Sequence, residues 1–366
     1  MGCTATIGPC PTPDSLESVW RDLEGRADPT VFLSWAWIGT LVSQFGAPAF
    51  LAKIQRDDEL VGLALLGWRR GRWADWLRRP SLHLNETGDA AQDRIWIEYN
   101  GVLAACGNED AAAAALVAAL RQSRTLPWRE WHLSGVDGRW VDLCRNEGLI
   151  VRLSSRPQAA PLACFTTMAA DDLLNGFSRN TRQQLRRSLR HYEERGALTL
   201  MQAGSVGEAQ DWLTELAELH SATWRARGQA GAFAEPNVMA FHRALIERCF
   251  DIGVPDLLSI RAGGEVIGYL YNFRWRSWVY SYQSGLRYEA GADSRPGLVC
   301  HLLAMRHYRK EGLVGYRFLA GLSRYKTSLS TKSDTLSWLV ACRPDWGHRL
   351  ERWARACRDR FQTISR

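Results

Sequence analysis

The chain has no apolar run of the roughly 20 residues that a membrane-spanning helix requires, and the stretch "VGLALLGW" (61–68) is of strand length. Its beginning, "MGCTATIGPCPTPDSL", contains neither a basic region nor an apolar segment, so we expect no secretory signal. The nine cysteines form no C-x-x-C pair and no Cys/His cluster with zinc-ligand spacing. We therefore expect a cytoplasmic protein without a metal cofactor.

A G-x-S-x-G motif is also absent, so the sequence gives no indication of a covalent intermediate on serine. Hydrophobic residues make up 46% and charged residues 23% of the 366 residues, which is typical of a globular protein long enough for two domains. The 46 Lys and Arg residues against 39 Asp and Glu residues give a net charge of +7. This charge favours anionic partners such as CoA phosphates, an acidic lipid surface, a sugar nucleotide or RNA.

Hydrophobic periodicity and turn residues predict alternating helices and strands in the first half of the chain. The predicted helices are "SLESVWRDLEGRA" (15–27, with Ser15 as N-cap), "FLSWAWIGTLVSQFG" (32–46) and "EDAAAAALVAALRQS" (109–123). The predicted strands are a hairpin over 50–68, "RIWIEYNGVLA" (94–104) and "WREWHLSGV" (128–136). A proline-containing stretch, 153–168, is predicted to separate the two halves.

The second half repeats this order of elements. We predict helices over 171–196, 206–228, 238–253 and 295–311, three strands within 257–286, and a closing strand "GYRFLAGL" (315–322). The fold class is therefore mixed α/β (α+β), with two tandem domains, 1–155 and 165–345. Each domain should be a mixed, mostly antiparallel sheet flanked by helices. A basic amphipathic helix is predicted over 346–366, with Trp and Leu on one face.

The segment "SRPGLVCHLL" (294–303) carries the first functional signal. It follows a predicted strand and opens a helix, whose first N–H groups and dipole together form an anion site. Pro296 fixes φ where no N–H is needed, Gly297 allows close approach of the backbone, and Arg295 adds charge. The alternative is that Ser294 simply caps this helix.

The surrounding segment, "GLRYEAGADSRPGLVCHLLAMRHYRKEGLVGYRFLAGLSRYKTSLS" (285–330), resembles the closing segment of the CelD-like GNAT acyltransferases, which are related to the Fem peptidyltransferases. The resemblance covers roughly 15–345 and departs at Arg317, where an acidic residue is expected. It implies two tandem GNAT domains, and it implies acyl-CoA, or the phosphopantetheine of acyl carrier protein, as co-substrate of the second domain. The residues implied to hold the pyrophosphate are Gly285, Ser294, Arg295, Pro296, Gly297 and Leu298.

Transfer of an acyl group to an amine needs a base, a polarised thioester carbonyl and a proton for the thiolate. His220, at the end of a predicted helix, is the first base candidate. Lys326, beside Tyr325, is a candidate for oxyanion or phosphate binding, and Tyr282 for protonating the thiolate. The alternatives are a half-buried structural histidine, a solvated lysine and an aromatic residue on a sheet face.

Acceptor-binding candidates come from both halves. Glu86, Glu98 and Asn100 could form a polar wall between the domains, and Glu98 could instead act as the base. Near the Gly-rich loop after the His220 helix, Trp224, Arg227 and Phe233 are further candidates.

Arg179, Arg182, Arg186 and Arg190 form a stripe at helical spacing. The stripe is either a solvated face or a surface for CoA phosphates or an anionic bilayer. With the basic helix over 346–366, it suggests peripheral contact with the inner membrane.

These observations predict an N-acyltransferase that uses acyl-CoA or acyl carrier protein. The resemblance implies an acceptor that is an amino lipid, of the ceramide type, or an amino sugar of the bacterial cell envelope. Two alternatives stay open: a Fem-like transferase that uses aminoacyl-tRNA, and a non-catalytic accessory protein of exopolysaccharide or cellulose synthesis. We expect no DNA partner.

Overall fold

The computed structural model describes residues 2–71, 79–168, 173–289, 291 and 294–344. The helix predicted over 346–366 lies outside the described residues. Within them the chain forms nine α-helices: α1 (Pro13–Gly25), α2 (Trp35–Phe45), α3 (Glu109–Gln122), α4 (Arg139–Asn146), α5 (Arg179–Glu193), α6 (Val206–Arg225), α7 (Pro236–Cys249), α8 (Pro296–Lys310) and α9 (Arg324–Leu329). In this part of the chain, no helix is both long enough and apolar enough to cross a membrane.

Fourteen strands of the described residues join in one mixed sheet. They are β1 (Thr4–Pro9), β2 (Phe50–Arg56), β3 (Glu59–Arg69), β4 (Ser81–Leu84), β5 (Leu103–Ala104), β6 (Glu130–Val136), β7 (Ile150–Leu153), β8 (Gln158–Cys164), β9 (Leu198–Gln202), β10 (Pro255–Ala262), β11 (Glu265–Trp275), β12 (Trp278–Leu286), β13 (Gly315–Arg317) and β14 (Lys332–Cys342). The main order is β1-β2-β3-β4-β6-β14-β8-β13-β12-β11-β10-β9. The predicted mixed α/β class is confirmed.

The two halves of the sheet repeat one topology. In the first half, β1 to β4 form an antiparallel series, β4 pairs in parallel with β6, and β6 pairs antiparallel with β14. In the second half, β9 to β12 form the antiparallel series, β12 pairs in parallel with β13, and β13 pairs antiparallel with β8. The amino-acid sequence shows no literal repeat, but the order and pairing of the strands are repeated.

Strand β14 joins the two halves. Its first residues, from Lys332 to Leu336, pair with β8, and its later residues, from Ser337 to Cys342, pair with β6 and β7. The stretch predicted as a separating linker therefore contains a strand, β8, that belongs to the second half of the sheet. The boundaries 1–155 and 165–345 stay a prediction, and the later residues of β14 pair with strands of the first half.

Several predicted elements are confirmed, among them the hairpin of β2 and β3, α3, α6, and the three strands β10 to β12. Helix α1 begins at Pro13 rather than Ser15, and Thr12 is its N-cap. Helix α5 begins at Arg179, where the Ser178 hydroxyl accepts the N–H of Thr181, so the predicted start at 171 is wrong. This start agrees with the preference for serine as an N-cap residue.

The strand predicted over 94–104 is wrong except for β5. Trp96 and Tyr99 have φ values of +45° and +48°, which an extended strand does not contain. The segment instead packs against the end of β6, where Gly135 lies so close to Ile97 that a Cβ would be 2.5 Å from the Ile97 carbonyl oxygen. The chain is thereby turned toward the second half.

The closing strand predicted over 315–322 ends at Arg317 as β13. The structure then continues into a loop in which Leu319 has a φ of +61° and Gly321 a φ of +91°. Helix α9 and strand β14 follow, and the sequence analysis predicted neither of them.

One hydrophobic core includes side chains of both halves. Trp37 of α2 is fully buried and makes edge contacts with Phe241 of α7, at 4.8 Å between ring centroids, and with Phe273 of β11, at 5.9 Å. Two further cores each lie on one half of the sheet. The shared core fixes the first half against the second and thereby positions the site described next.

Candidate active site

A cavity of about 840 Å³ lies where β12 and β13 diverge. The two strands pair only from Trp278 to Tyr280, and beyond this point residues of β12 and of the loop after β13 line the cavity from different sides. The described residues that line it are Trp96, Glu98, His220, Thr223, Trp224, Arg227, Ser281, Tyr282, Gln283, Ser284, Leu286, Tyr288, Gly291, Ser294, Arg295, Gly297, Leu298, Leu319, Ala320, Gly321, Leu322, Ser323, Arg324, Tyr325 and Lys326.

The start of α8 opens on this cavity, as the anion-site prediction requires. Arg295 is the N-cap residue and no side chain caps the helix. The Ser294 hydroxyl instead lies 3.1 Å from the Tyr192 hydroxyl, so the alternative of a serine cap is wrong. Gly297 and Leu298, in the first turn of α8, line the cavity at the positive end of the helix dipole.

Gly297 is closely packed at this helix start. A Cβ there would lie 3.3 Å from the Leu286 Cδ1 atom and 3.4 Å from the Tyr325 Cδ1 atom. The Arg295 guanidinium donates to the Gln184 Oε1 atom of α5, which holds it beside the opening. Pro296 is buried in the first turn and does not line the cavity.

Gly285 serves the packing of a helix and not the cavity. A Cβ at this position would lie 2.4 Å from the carbonyl oxygen of Leu216 in α6. The absence of a side chain therefore lets α6 lie directly on β12. The implied role of Gly285 in holding pyrophosphate is not supported by its position.

Glu98 and Lys326 meet on opposite sides of one peptide at the cavity wall. The Glu98 Oε2 atom accepts the N–H of Ala320 at 2.7 Å. The Lys326 Nζ atom donates to the carbonyl oxygens of Ala320, at 2.9 Å, and Leu319, at 3.3 Å. A carboxylate from the first half and an ammonium from the second therefore share one site.

Burial shifts the pKa values of this pair toward each other. Desolvation raises the pKa of Glu98 to about 7, against the lowering effects of the Ala320 N–H and of Lys326. Desolvation lowers the pKa of Lys326 to about 8, against the raising effect of Glu98. Near neutral pH each group can exchange a proton, which suits acid–base chemistry.

His220 lines the cavity, but both of its ring nitrogens are engaged. The Nδ1 atom donates to the Ser284 carbonyl at 3.3 Å, and the Nε2 atom accepts the N–H of Ala232 at 3.3 Å. Desolvation lowers the pKa of the imidazole. This arrangement fits the alternative of a structural, neutral histidine better than a general base.

The two tyrosines of the prediction are half-buried at the cavity wall. The Tyr282 hydroxyl donates its proton to the Ile95 carbonyl, and burial raises the pKa of Tyr282 well above its ordinary value. Its proton therefore points to the first half and not to a leaving thiolate. Tyr325 stacks on His301 at 4.7 Å between centroids, and burial raises the pKa of Tyr325 to about 12. Neither geometry favours proton transfer.

A cysteine beside a histidine occurs in the sequence at Cys300 and His301, and the structure excludes it as a nucleophile pair. Both residues are fully buried in α8, and desolvation raises the pKa of the Cys300 thiol. A thiol held in its protonated form is a weak nucleophile.

Three predicted acceptor residues do not line the cavity. Asn100 is buried in a network with Asn85 and the Leu84 carbonyl. Phe233 packs edge-on against His220, at 5.3 Å between ring centroids. The Glu86 carboxylate accepts the Ser134 hydroxyl at 2.9 Å and lies in the first half of the sheet. The predicted wall of Glu86, Glu98 and Asn100 is therefore wrong except for Glu98.

Glu86 belongs to a separate cluster with His83 and Asp93, whose ligand-type atoms lie within 4.8 Å of one another. The Asp93 oxygens already accept the N–H groups of Thr87 and Gly88 at 2.8 and 2.9 Å. Asp93 thus anchors its loop.

Sequence reasoning missed residues at the cavity opening, of which Trp96, Tyr288 and Leu322 are exposed. Trp224 and Arg227 were predicted, and the guanidinium lies 5.5 Å from the Trp224 ring centroid. No lining residue in the described part of the chain belongs to the arginine stripe of α5.

Arg317, the departure from the family pattern, lies outside the cavity wall. Its guanidinium bonds the Asp334 carboxylate at 2.7 Å and lies over the rings of Tyr99 and Trp278, at 4.7 and 4.4 Å. Tyr99 belongs to the first half, so Arg317 joins the halves.

Residues 179–327 match the family model described as "Acetyltransferase (GNAT) domain". The start of α8, Lys326 and all the other described lining residues except Trp96 and Glu98 fall within this match. The finding confirms the predicted GNAT class for this part of the chain. No curated protein matches the chain in sequence.

Solved structures share the fold over nearly the whole chain. FemX is 12% identical with a TM-score of 0.59, over 91% of this chain and 96% of that chain. A conserved protein of unknown function from Bacteroides thetaiotaomicron VPI-5482 is 9% identical with a TM-score of 0.56, over 93% and 100%. L-PGS from Bacillus licheniformis is 9% identical with a TM-score of 0.51, over 93% and 94%. At these identities the likeness concerns the fold.

Proposed function

We propose that this protein is an N-acyltransferase that moves an acyl group from acyl-CoA, or from the phosphopantetheine of acyl carrier protein, to an amine. One observation carries the proposal. A single cavity is bounded by the open start of α8 and by the Glu98–Lys326 pair. An anion site and an acid–base pair thus lie within reach of one bound molecule.

The start of α8 would hold the pyrophosphate or phosphate of the donor. No side chain caps its first turn, in which Pro296 has no N–H and the Leu298 N–H donates to the Arg295 carbonyl. Gly297 therefore supplies the backbone N–H at the cavity wall, and Arg295 supplies a positive charge beside it. Beyond Tyr280, β12 no longer pairs with β13, so its edge is open to the pantetheine amides. A thioester placed along this edge would approach Lys326.

The reaction is direct attack of the amine on the thioester carbonyl. The C–N bond forms, the C–S bond breaks, and the amine gives a proton to the Glu98 carboxylate. Lys326 stabilises the oxyanion of the tetrahedral intermediate and then gives a proton to the leaving thiolate. Proton transfer from Glu98 to Lys326 restores both groups.

For the acceptor, we propose an amino lipid of the ceramide type or an amino sugar of the bacterial cell envelope. The CelD-like resemblance and the apolar opening of the cavity support this class. The location would be the cytoplasm, at the inner face of the membrane.

Calorimetry with CoA tests the donor. Wild-type protein should bind CoA, and Gly297→Trp should abolish binding because the indole fills the space beside Leu286 and Tyr325. Gly207→Trp is the matched control, since Gly207 is the second residue of α6, as Gly297 is of α8, and is exposed. The Gly207→Trp variant should bind CoA as wild type does. Absence of CoA binding by wild type would overturn the CoA donor and leave acyl carrier protein as donor, the tRNA-dependent transferase and the accessory protein as alternatives.

A second variant separates chemistry from binding. Lys326→Met should keep CoA binding and lose transfer to sphinganine and glucosamine, measured as thiol release. Transfer at the wild-type rate by Lys326→Met would show that Lys326 has no catalytic role.

A further inference from the structure

The opening of the cavity carries an exposed apolar surface, which we call the lip: Trp96, Tyr288 and Leu322. Their side chains are 48%, 52% and 71% exposed. Of the six large hydrophobic residues that are exposed in the described part of the chain, these three line one cavity. Exposed apolar side chains gathered at one opening indicate a binding surface rather than the scattered exposure that any protein shows.

The backbone at the lip is strained in the way that functional sites are. Trp96 has a φ of +45°, and Leu319, on the cavity wall, has a φ of +61°. Bulky residues rarely adopt this region, and such outliers persist where the surrounding structure holds them. The Tyr282 hydroxyl bonds the Ile95 carbonyl just before Trp96, so the second half holds the tryptophan in its exposed position.

The charge beside the lip is positive. Among the described residues that line the cavity, Arg227, Arg295, Arg324 and Lys326 are cationic and Glu98 is the one carboxylic acid. Arg227 and Arg324 are exposed. Aromatic residues with adjacent cations are the side chains that proteins place at the headgroup level of an anionic bilayer.

We propose that the lip docks this protein on an anionic lipid bilayer, with the cavity opening toward the headgroups. Trp96, Tyr288 and Leu322 enter the interface while Arg227 and Arg324 contact lipid phosphates. This placement differs from contact through the arginine stripe of α5. The docking is inferred from the lip residues and their charged neighbours. Delivery of an amphiphilic acceptor from the bilayer into the cavity rests on the proposed function.

Sedimentation with vesicles tests the docking. The full chain should partition onto vesicles of phosphatidylglycerol and phosphatidylcholine more than onto phosphatidylcholine alone, and added salt should weaken the binding. Leu322→Glu should lower the partition coefficient by about tenfold, because it removes apolar burial and adds a repelled charge. Ile252→Glu is the matched control: Ile252 is 62% exposed, does not line the cavity, and should leave partition unchanged.

Two results would overturn the docking: no binding of wild-type protein to either vesicle, as expected if the lip meets a protein instead, or equal partition of Leu322→Glu and wild type. Circular dichroism and the Tm of Leu322→Glu verify its fold. CoA calorimetry is a separate readout, so vesicle binding without CoA binding would keep the docking and reject CoA as the donor. CoA binding without vesicle binding would keep CoA as the donor and reject the docking.

Discussion

At the scale of single residues, Glu98 and Lys326 set the expected pH dependence of activity. The pKa of Glu98 is raised to about 7 and that of Lys326 is lowered to about 8. A base that must be deprotonated and an acid that must be protonated give a bell-shaped profile of kcat/KM between these values. Glu98→Gln should lower the rate of thiol release with sphinganine and remove the acidic limb from the profile of the rate that remains. A flat wild-type profile from pH 6 to 9 would contradict both roles.

Glu98 also has a consequence for stability that needs no substrate. Its pKa in the folded state is raised above the unfolded value, so its contribution is present at low pH and is lost as pH rises through about 7. Lys326 stays protonated in both states at pH 5 to 7 and does not enter this window. The Tm of wild type should therefore fall from pH 5 to 7 relative to that of Glu98→Gln. Parallel Tm curves for the two proteins would show that Glu98 does not titrate as proposed.

Gly285 makes a steric prediction at the residue scale. Gly285→Ala would place a Cβ 2.4 Å from the Leu216 carbonyl oxygen and should destabilise the fold by about 1–3 kcal/mol or more, as overpacking does. Gly8→Ala is the control, because Gly8 also lies in a strand and has no atom within 4 Å of an added Cβ. Urea denaturation measures the free energy of unfolding of both variants. Equal stabilities would mean that α6 can move away from β12 at little cost.

The sequence predicted some site residues and not others for physical reasons. Lys326 and the turn 294–298 could be predicted because the local sequence shows them directly, as a lysine and as the start of a helix. His220 is a histidine at a helix end, and sequence alone does not show that backbone groups occupy both nitrogens. The exposure of Trp96 depends on a positive φ, which no residue pattern indicates for tryptophan.

At the scale of elements, segments with a strong local signal were predicted well, and a strand whose pattern depends on distant neighbours was not. The alanine-rich α3 and the β10 to β12 meander have strong local signals. Strand β14 was missed because its pattern is fixed by two different neighbours, β8 on one side of the junction and β6 on the other. Its residues pack in a tertiary context that local propensity does not encode.

The contact between β13 and the first half is testable through Arg317. Arg317→Met would leave Asp334 without its 2.7 Å partner and remove the guanidinium from the rings of Tyr99 and Trp278. We expect a loss of about 1–3 kcal/mol in the free energy of unfolding, since hydrogen bonds to charged groups and cation–π contacts each contribute. Arg21→Met, which breaks a more exposed pair with Glu17, should cost well under 1 kcal/mol by the usual scale of about 0–1 kcal/mol. Equal costs would contradict a joining role for Arg317.

At the scale of the whole molecule, the shared core predicts that both halves unfold together. Trp37→Ala removes a fully buried side chain that contacts Phe241 and Phe273 across the halves, and it should cost about 3–5 kcal/mol. The denaturation curves by tryptophan fluorescence and by circular dichroism should shift together and remain coincident. Two separated transitions in the wild type would show instead that each half is independently stable.

The path of β14 also bears on how the chain folds while it is being synthesised. Strand β6 is complete at Val136, yet its second neighbour is the end of β14, which finishes at Cys342. A nascent chain that emerges from the ribosome therefore carries an unpaired strand edge for some two hundred residues of translation, a state prone to wrong pairing. The part of the protein that is made first is the part whose sheet is closed last, so a prematurely terminated chain should be a target of chaperones and proteases.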